Sequence, residues 1–205
     1  VGKTFAMLTE AHEKRREGLD VLIGWVDTHG RRETAALLKG LEVLPRQTIQ
    51  RGTFTTETLD IDAIIRRRPA LVVIDELPHS NPPNARHLKR WQDIEDILDV
   101  GIDVYSAMNI QHLESLNDMV GAMTGVDVKE TIPDRFFDEA DEVRLVDLPP
   151  DDLLKRLEAG KIYLPGFIER AKNHFFRKAN LIALRELSLR LMADRLETEI
   201  REHRS

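Results

Sequence analysis

The chain has 205 residues, a formal net charge of −6 and no cysteine. The lack of cysteine excludes disulfides and thiolate metal sites and fits a reducing cytosol. The acidic balance argues against a dedicated nucleic-acid binder, because contacts to phosphates dominate that affinity. A hydrophobic content of 41% is enough for one sizeable core with an appended subdomain. We expect no secretory signal and no membrane insertion, since the longest apolar run, Ala70–Ile74, is short.

The first four residues, Val1-Gly2-Lys3-Thr4, match the end of the phosphate-binding pattern G-x-x-x-x-G-K-[ST]. In that loop the lysine reaches the β and γ phosphates and the threonine hydroxyl is a ligand of Mg²⁺. We therefore predict that Gly2, Lys3 and Thr4 bind a nucleotide and that Thr4 also binds the cation. The first glycine of the pattern and its strand are expected to precede Val1. The alternative is an ordinary lysine at a helix start, which the helix dipole disfavours.

Predicted helices and strands alternate along the next part of the chain. Apolar residues at 5, 7, 8 and 11 predict a helix that Gly18 ends, and Leu19–Val26 predicts a buried parallel strand. Further helices are predicted at 31–38, 59–68, 91–98 and 113–123, and further strands at 47–50, 70–74, 102–108 and 142–146. This order predicts an α/β fold like that of P-loop NTPases, with three layers and a mostly parallel sheet.

Two carboxylates, Asp75 and Glu76, directly follow the apolar run Ala70–Ile74. Open α/β sheets bind ligands at the carboxyl ends of their strands. In a P-loop protein an aspartate at this place holds Mg²⁺, and the adjacent glutamate orients or deprotonates an attacking water. We predict these roles for Asp75 and for Glu76 as the catalytic residue. The alternative is a surface turn after a core strand, in which both residue types are common.

Polar residues also follow the other predicted strands. Residues 78–90 read as a polar loop, whose two histidines lack the spacing of a known metal motif and are interpreted as solvated. Asn109 follows the strand predicted at 102–108, and we predict that it contacts the γ-phosphate of the nucleotide or, alternatively, caps a helix. Asp147 is a carboxylate that directly follows the strand predicted at 142–146.

The pattern becomes helical after Pro149-Pro150. Asp151 is predicted as a helix N-cap, and residues 167–178 and 180–204 are predicted as further helices, the last one for packing rather than a coiled coil. Residues 1–150 are net acidic and residues 151–205 net basic. We therefore place a nucleotide-binding core at 1–150 and a helical extension at 151–205. The basic segment 161–178 is interpreted as a solvated helix face, with a neighbouring domain or anionic lipid as alternatives.

Several motifs occur here in a combination typical of one family. They are Gly2-Lys3-Thr4, Asp27–Arg31, Val73–Leu77, Lys89–Asp93, Asn109–Asp118 and Phe175–Lys178. On these motifs the chain resembles the cytoplasmic N-terminal domain of KdpD-type sensor histidine kinases. The resemblance covers nearly the whole chain and is most specific in the block Asn109–Asp118.

The resemblance implies a cytoplasmic part of an inner-membrane protein that binds ATP with Mg²⁺. In the family this domain regulates the balance between kinase and phosphatase states of a distant catalytic half, in response to potassium limitation and osmotic stress. Its partners are ATP and the downstream domains of the same polypeptide, and the resemblance allows a homodimer formed through the full-length protein. None of the seven histidines lies in a phospho-acceptor setting. The alternative function is a stand-alone P-loop ATPase or small-molecule kinase, with Arg86 or Arg90 as the arginine finger.

Overall fold

A parallel β-sheet organises the first part of the chain. The computed structural model describes residues 2–51, 54–158 and 177–202. Contacts divide the chain into two compact units, one from Gly2 to Met108 and one that begins at Asn109. This division falls at a different place from Pro149-Pro150, and the domain boundary near those prolines stays a prediction.

The first unit contains strands and helices in alternation. Its strands are β1 (Val21–Trp25), β2 (Glu42–Val43), β3 (Gln47–Arg51), β4 (Phe54–Thr58), β5 (Leu71–Ile74) and β6 (Asp103–Ser106). Its helices are α1 (Lys3–Arg16), α2 (Arg32–Ala36), α3 (Ile61–Arg67) and α4 (Arg90–Asp99). Each helix predicted from residues 3 to 98 is therefore present, with ends that shift by a few residues.

The main sheet has the strand order β2-β1-β5-β6, and all its neighbouring strands are parallel. In register, Val21 lies opposite Leu71, which lies opposite Asp103 on the other side. Every residue of β1 and β5 is buried, as expected for strands covered on both faces. The residues that follow β1 and β5 consequently meet at one edge of the sheet.

Helices cover both faces of this sheet. On one face, Met7, Leu8 and Ala11 of α1 pack in one cluster with Val21, Ile23, Leu71 and Val73. On the other face, Gly24 of β1 lies beside Ile64 of α3, next to Val72 and Ile74. The predicted three-layer α/β fold with a parallel sheet is thereby confirmed.

A separate antiparallel hairpin is formed by β3 and β4, in which Gln47 pairs with Thr58 and Ile49 with Thr56. The strand predicted at 47–50 is confirmed, whereas its partner β4 was not predicted. A polar hairpin of this kind gives little signal, because most of its described side chains are exposed and no apolar alternation marks a buried face.

The second unit is mainly helical within its described residues. Its helices are a short 3₁₀ helix (Ile110–His112), α5 (Glu114–Thr124), α6 (Asp134–Asp138), α7 (Pro150–Glu158) and α8 (Lys178–Glu202). The predicted C-terminal helical segment is therefore present in α8. No helix in the described ranges combines the length and apolar content that are needed to cross a membrane.

Three predicted features of this unit differ from the structure or lie partly outside its described residues. The strand predicted at 142–146 is wrong: these residues have no regular structure and no partner strand within the described chain. Arg185 of α8 instead binds the carboxylate of Asp147 through Nη2 at 2.6 Å and Nε at 2.8 Å, which fixes this segment without a sheet. Asp151 lies in the first turn of α7, which begins at Pro150, and not at its N-cap. Of the helix predicted at 167–178, residues 167–176 lie outside the described part of the chain.

Candidate functional site

The amino end of α1 carries the predicted phosphate-binding residues. Gly2 is the N-cap and has φ 88°, a left-handed conformation that glycine adopts without strain. No side chain caps this helix, and its first turn contains no acidic residue. Lys3 and Thr4, both half-buried, form the first helical positions. The backbone N–H groups and the dipole of this helix end therefore favour an anion.

Asp75 lies directly beside Thr4, although 71 residues separate them in the chain. The hydroxyl of Thr4 donates a hydrogen bond to Oδ2 of Asp75 at 2.6 Å. The other carboxylate oxygen, Oδ1, accepts from the backbone N–H of Glu76 at 2.8 Å. Asp75 is only 5% exposed, and its own N–H donates to the carbonyl of Trp25 at 2.8 Å. The Thr4 and Asp75 side chains are thus placed together, as the sequence predicted from the strand ends.

Burial and two neighbouring charges change the pKa of Lys3. Burial lowers the pKa of the Lys3 ammonium, the charge of Asp75 opposes this change, and the charge of Arg31 adds to the lowering. Lys3 therefore lies within electrostatic reach of both groups. A lysine and an arginine close together at a helix N-terminus favour a ligand with several negative charges.

Glu76 is held in an unusual backbone conformation beside Asp75. Its φ is 58°, which is uncommon for a residue with a side chain and typical of strained functional positions. Its carboxylate is 3.5 Å from Nε2 of His29 and 3.6 Å from Nη1 of Arg90. The ring of His29 also lies 3.6 Å from Asp27, so this histidine stands between two carboxylates that follow β1 and β5.

Arg90 and Trp25 are site residues that sequence reasoning did not place correctly. Arg90 was considered as an arginine finger, but its side chain is fully buried and donates from Nη1 to the carbonyl oxygen of Asp75 at 3.0 Å. Its guanidinium lies 4.5 Å from the centre of the Trp25 ring, and that of Arg46 lies 4.2 Å from it. The sequence contains a signal for Trp25, since it closes an apolar strand, but none for these partners.

The other arginine considered as a finger, Arg86, binds acidic side chains of the same unit. Its Nη1 is 2.9 Å from Asp62 and its Nε is 3.0 Å from Asp96. His87 of the same loop is 2.9 Å from Asp96 through Nε2. The loop at 78–90 is therefore an ordered polar network and not a set of freely solvated side chains.

Asn109 belongs to the second unit, where it precedes the 3₁₀ helix Ile110–His112. It occupies the N-cap position, and the carbonyl of Asn109 accepts from the N–H of His112 at 3.1 Å. Its side chain makes no capping hydrogen bond, which disfavours the capping alternative. Its contact with a nucleotide stays a prediction.

The oxygen atoms of Thr4 and Asp75 are of the type that Mg²⁺ prefers in proteins. A threonine hydroxyl and a carboxylate 2.6 Å apart provide two such oxygens at one point. No group of three or more acidic, histidine or cysteine side chains able to hold a metal occurs in the described ranges. The arrangement suits a cation that is shared with a bound phosphate, since Mg²⁺ commonly takes one or two protein ligands plus phosphates and water.

Comparison with known proteins identifies the family. The family model described as "KdpD: Osmosensitive K+ channel His kinase sensor domain" matches residues 1–196. The chain is 59% identical over 205 residues to "Sensor protein KdpD" of Escherichia coli (strain K12), covering 100% of this chain and 23% of that relative. It is 49% identical over 200 residues to the protein of the same name from Clostridium acetobutylicum, covering 98% of this chain and 22% of the relative. It is 47% identical over 194 residues to "Sensor protein KdpD" of Mycobacterium tuberculosis, covering 95% of this chain and 23% of that relative.

The matches to these three relatives extend over nearly the whole chain, which spans less than a quarter of the length of each. The matched residues include the whole first unit with Thr4 and Asp75, and the second unit as far as residue 196. The chain therefore belongs to the KdpD family of osmosensitive K⁺ channel histidine kinase sensor domains.

Proposed function

We propose that the first unit binds ATP together with Mg²⁺ at the sheet edge where β1 and β5 end. The observation that carries this proposal is the 2.6 Å hydrogen bond between the Thr4 hydroxyl and the Asp75 carboxylate. The two side chains would hold Mg²⁺, which would supply positive charge to the phosphates. Two hydrogen bonds orient the Asp75 carboxylate, one from Glu76 N–H and one from the Thr4 hydroxyl.

The triphosphate would lie at the amino end of α1. Lys3 supplies the positive charge there, and the N–H groups of the first turn, which no side chain caps, supply hydrogen-bond donors. The lowered pKa of Lys3 is caused first by burial. A polyanion would offset this burial and the neighbouring charge of Arg31, so ligand binding would stabilise a group whose charge is otherwise disfavoured.

We infer a regulatory role for this nucleotide site. The family is described as an osmosensitive K⁺ channel histidine kinase sensor domain, and the three relatives named above are more than four times as long as the region matched in each. The chain would form a cytoplasmic part of a membrane-bound sensor histidine kinase that responds to potassium limitation and osmotic stress. Nucleotide binding would shift the kinase–phosphatase balance of the catalytic half, provided that ATP has unequal affinity for two states of the protein.

A stand-alone P-loop ATPase or small-molecule kinase is the second candidate function. The position of Glu76, directly after Asp75 and half-buried at the same strand end, favours it. Turnover separates the two functions. Hydrolysis by the first unit at about 1 s⁻¹ or faster would favour the enzyme, whereas binding with much slower hydrolysis would favour the regulatory module.

Titration calorimetry of Mg²⁺–ATP on the full-length protein tests nucleotide binding. Lys3→Ala is expected to weaken one site roughly tenfold or more, as removal of a charge-assisted phosphate contact would. Lys39→Ala, which changes an exposed lysine of the same unit, is the matched control and should leave binding unchanged. Equal binding curves for the unchanged protein and Lys3→Ala would exclude the proposed phosphate site.

A further inference from the structure

A fully buried arginine lies underneath the candidate nucleotide site. Arg90 is the first residue of α4, and its side chain has 0% exposure. Its Nη1 donates to the carbonyl oxygen of Asp75 at 3.0 Å and stands 3.6 Å from the carboxylate of Glu76. One guanidinium nitrogen therefore contacts both of the acidic residues that follow β5, one through its backbone and the other through its side chain.

The backbone of Arg90 contacts the same turn. Its N–H donates to the carbonyl of His79 at 3.0 Å, and the N–H of His79 donates to the carbonyl of Glu76 at 3.0 Å. Leu77 N–H donates to the carbonyl of Ala107 at 3.0 Å, which ties the turn to the residue after β6. Arg90 thus forms hydrogen bonds at both ends of the turn from Asp75 to His79, through its side chain at the start and its main chain at the end.

The contacts of Arg90 surround Glu76, which is the strained position of this turn. Glu76 has φ 58°, and a left-handed conformation at a residue with a side chain persists only where its surroundings hold it. The contacts that converge on Glu76 come from Arg90, from His29 and from the Asp75 carboxylate. Removal of a contact from this set should let the turn relax toward ordinary backbone angles and move the carboxylate.

The geometry of arginine is suited to this place. A planar guanidinium can lie over the Trp25 ring, 4.5 Å from its centre, and at the same time donate in its own plane to the Asp75 carbonyl. Asp93, one turn further along α4, is within electrostatic reach of Arg90 and offsets its buried charge. A lysine would keep the charge but has no planar fork, so Arg90→Lys separates charge from geometry.

We propose that Arg90 is a positioning residue of the candidate site, which sets the place of the Glu76 carboxylate relative to Asp75. Its effect on hydrolysis rests on the proposed nucleotide function, whereas its effect on Glu76 does not. A merely structural arginine would stabilise α4 and the sheet without acting through Glu76. The test therefore has one arm without nucleotide and one with it.

The first arm uses Trp25 as the reporter, because the Arg90 guanidinium lies over its ring. The fluorescence emission of Trp25 is obtained in the full-length protein by subtracting the spectrum of the matched Trp25→Phe variant. Glu76→Gln is expected to shift this emission, and the shift should disappear in the Arg90→Lys background. Arg86→Lys, which alters an arginine bound to Asp62 and Asp96, should leave the shift intact. An equal shift in both Arg90 backgrounds would overturn the proposal.

The second arm measures the part of Mg²⁺–ATP hydrolysis that Lys3→Ala abolishes. Glu76→Gln should lower this turnover by about a hundredfold, the contribution of a general base. Arg90→Lys should lower it by at least roughly tenfold with nucleotide affinity nearly unchanged, and the double variant should be no slower than Glu76→Gln alone. Losses that multiply would show that Arg90 does not act through Glu76. Absence of any Lys3-dependent binding would refute the proposed nucleotide function, and the first arm would still decide the role of Arg90.

Discussion

The hydroxyl of Thr4 and the carboxylate of Asp75 meet at 2.6 Å across 71 residues of sequence. This contact joins the first turn of α1 to the end of β5, and it gives the candidate site both of its predicted cation ligands. Other contacts of Asp75 run to Glu76 N–H, to the carbonyl of Trp25 and to Arg90. The pair is therefore part of a fixed framework at the sheet edge.

Substitution of Thr4 separates the hydroxyl from the shape of its side chain. Thr4→Val removes the oxygen and should weaken Mg²⁺-dependent nucleotide binding by roughly tenfold or more, because a metal ligand and a hydrogen bond to Asp75 are lost together. Thr4→Ser keeps the oxygen and should bind nearly as well as the unchanged protein. Nucleotide titrations at several Mg²⁺ concentrations measure both effects. Equal Mg²⁺ dependence in the valine and serine variants would contradict the assigned role of the hydroxyl.

Arg68 offers a test of backbone strain at the end of α3. This exposed residue has φ 49°, and its N–H donates to the carbonyl of Ile64 at 2.9 Å, as in a helix C-cap. Arg68→Gly should stabilise the first unit by about 1 kcal/mol, since glycine adopts this conformation without the cost of a side chain. Arg66→Gly, within the same helix, should destabilise it by about 1 kcal/mol.

Hydrogen exchange of peptides from α3 and β5 measures the two free energies of opening. A loss of protection in Arg68→Gly that equals the loss in Arg66→Gly would show that the left-handed angle at Arg68 stores no strain.

Gly24 of β1 permits the close approach of α3 to the sheet. A Cβ atom at this position would lie 3.0 Å from Cγ2 of Val72 and 3.1 Å from Cδ1 of Ile64. Gly24→Ala should therefore destabilise the first unit by about 1–3 kcal/mol through overpacking. Ile64→Val removes the Cδ1 atom and should recover part of this loss in the double variant. Gly121→Ala, where the nearest atom is 3.6 Å away, is the contrasting control in α5 and should be neutral or stabilising.

The same hydrogen-exchange measurement reports on Gly24. Additive effects of Gly24→Ala and Ile64→Val, with no recovery, would mean that the added methyl group does not press on Ile64. The close approach of α3 would then have another cause.

Asp93 makes the stability of the first unit depend on pH. It is 2% exposed, and burial raises its pKa to about 6, while the hydrogen bond from Asn81 and the charges of His87 and Arg90 act in the opposite direction. Its pKa in the unfolded chain is about 3.9, so the folded state binds more protons between about pH 4 and pH 6. The free energy of unfolding should consequently fall through this window by about 2–3 kcal/mol and level off above it.

Asp93→Asn removes this titration while its side-chain oxygen still accepts from Asn81, which donates at 2.6 Å in the unchanged protein. The variant should lack the fall between about pH 4 and pH 6 that Asp93 contributes. Exchange of α4 peptides, corrected for the intrinsic chemical rate, measures both proteins across the window. Parallel pH profiles would show that Asp93 does not hold an extra proton in the folded state.

The strands β1 and β5 were predictable because each is a short, nearly continuous apolar run, and burial on both faces requires such a run. The meeting of Thr4 with Asp75 followed from the same reasoning, since parallel strands present their carboxyl ends at one edge. The error at 142–146 arose from a similar signal. Val143, Leu145 and Val146 have strand propensity, but a strand also needs a neighbouring strand. The described part of the chain provides none for these residues, and sequence spacing does not reveal this.

The partners of Glu76 were not predictable. An arginine at a helix start is normally solvated, and nothing in the spacing of Arg90 indicates that it is fully buried against Trp25 and Asp75. The left-handed angle of Glu76 is likewise invisible in sequence, because glutamate rarely adopts it and is held there by tertiary contacts. The closeness of Thr4 and Asp75 could thus be predicted from motifs and strand order, whereas the network around Glu76 required coordinates.

Iron-directed cleavage can show whether Thr4 and Asp75 hold the cation of a bound nucleotide. Fe²⁺ replaces Mg²⁺ in a complex of the full-length protein with ATP, and ascorbate and peroxide then generate radicals that cut the backbone near the metal. We expect cuts at both Lys3–Thr4 and Asp75–Glu76 that require ATP and disappear in Thr4→Val. If these two stretches remain intact while the metal and nucleotide are bound elsewhere, Thr4 and Asp75 do not form the nucleotide–metal site.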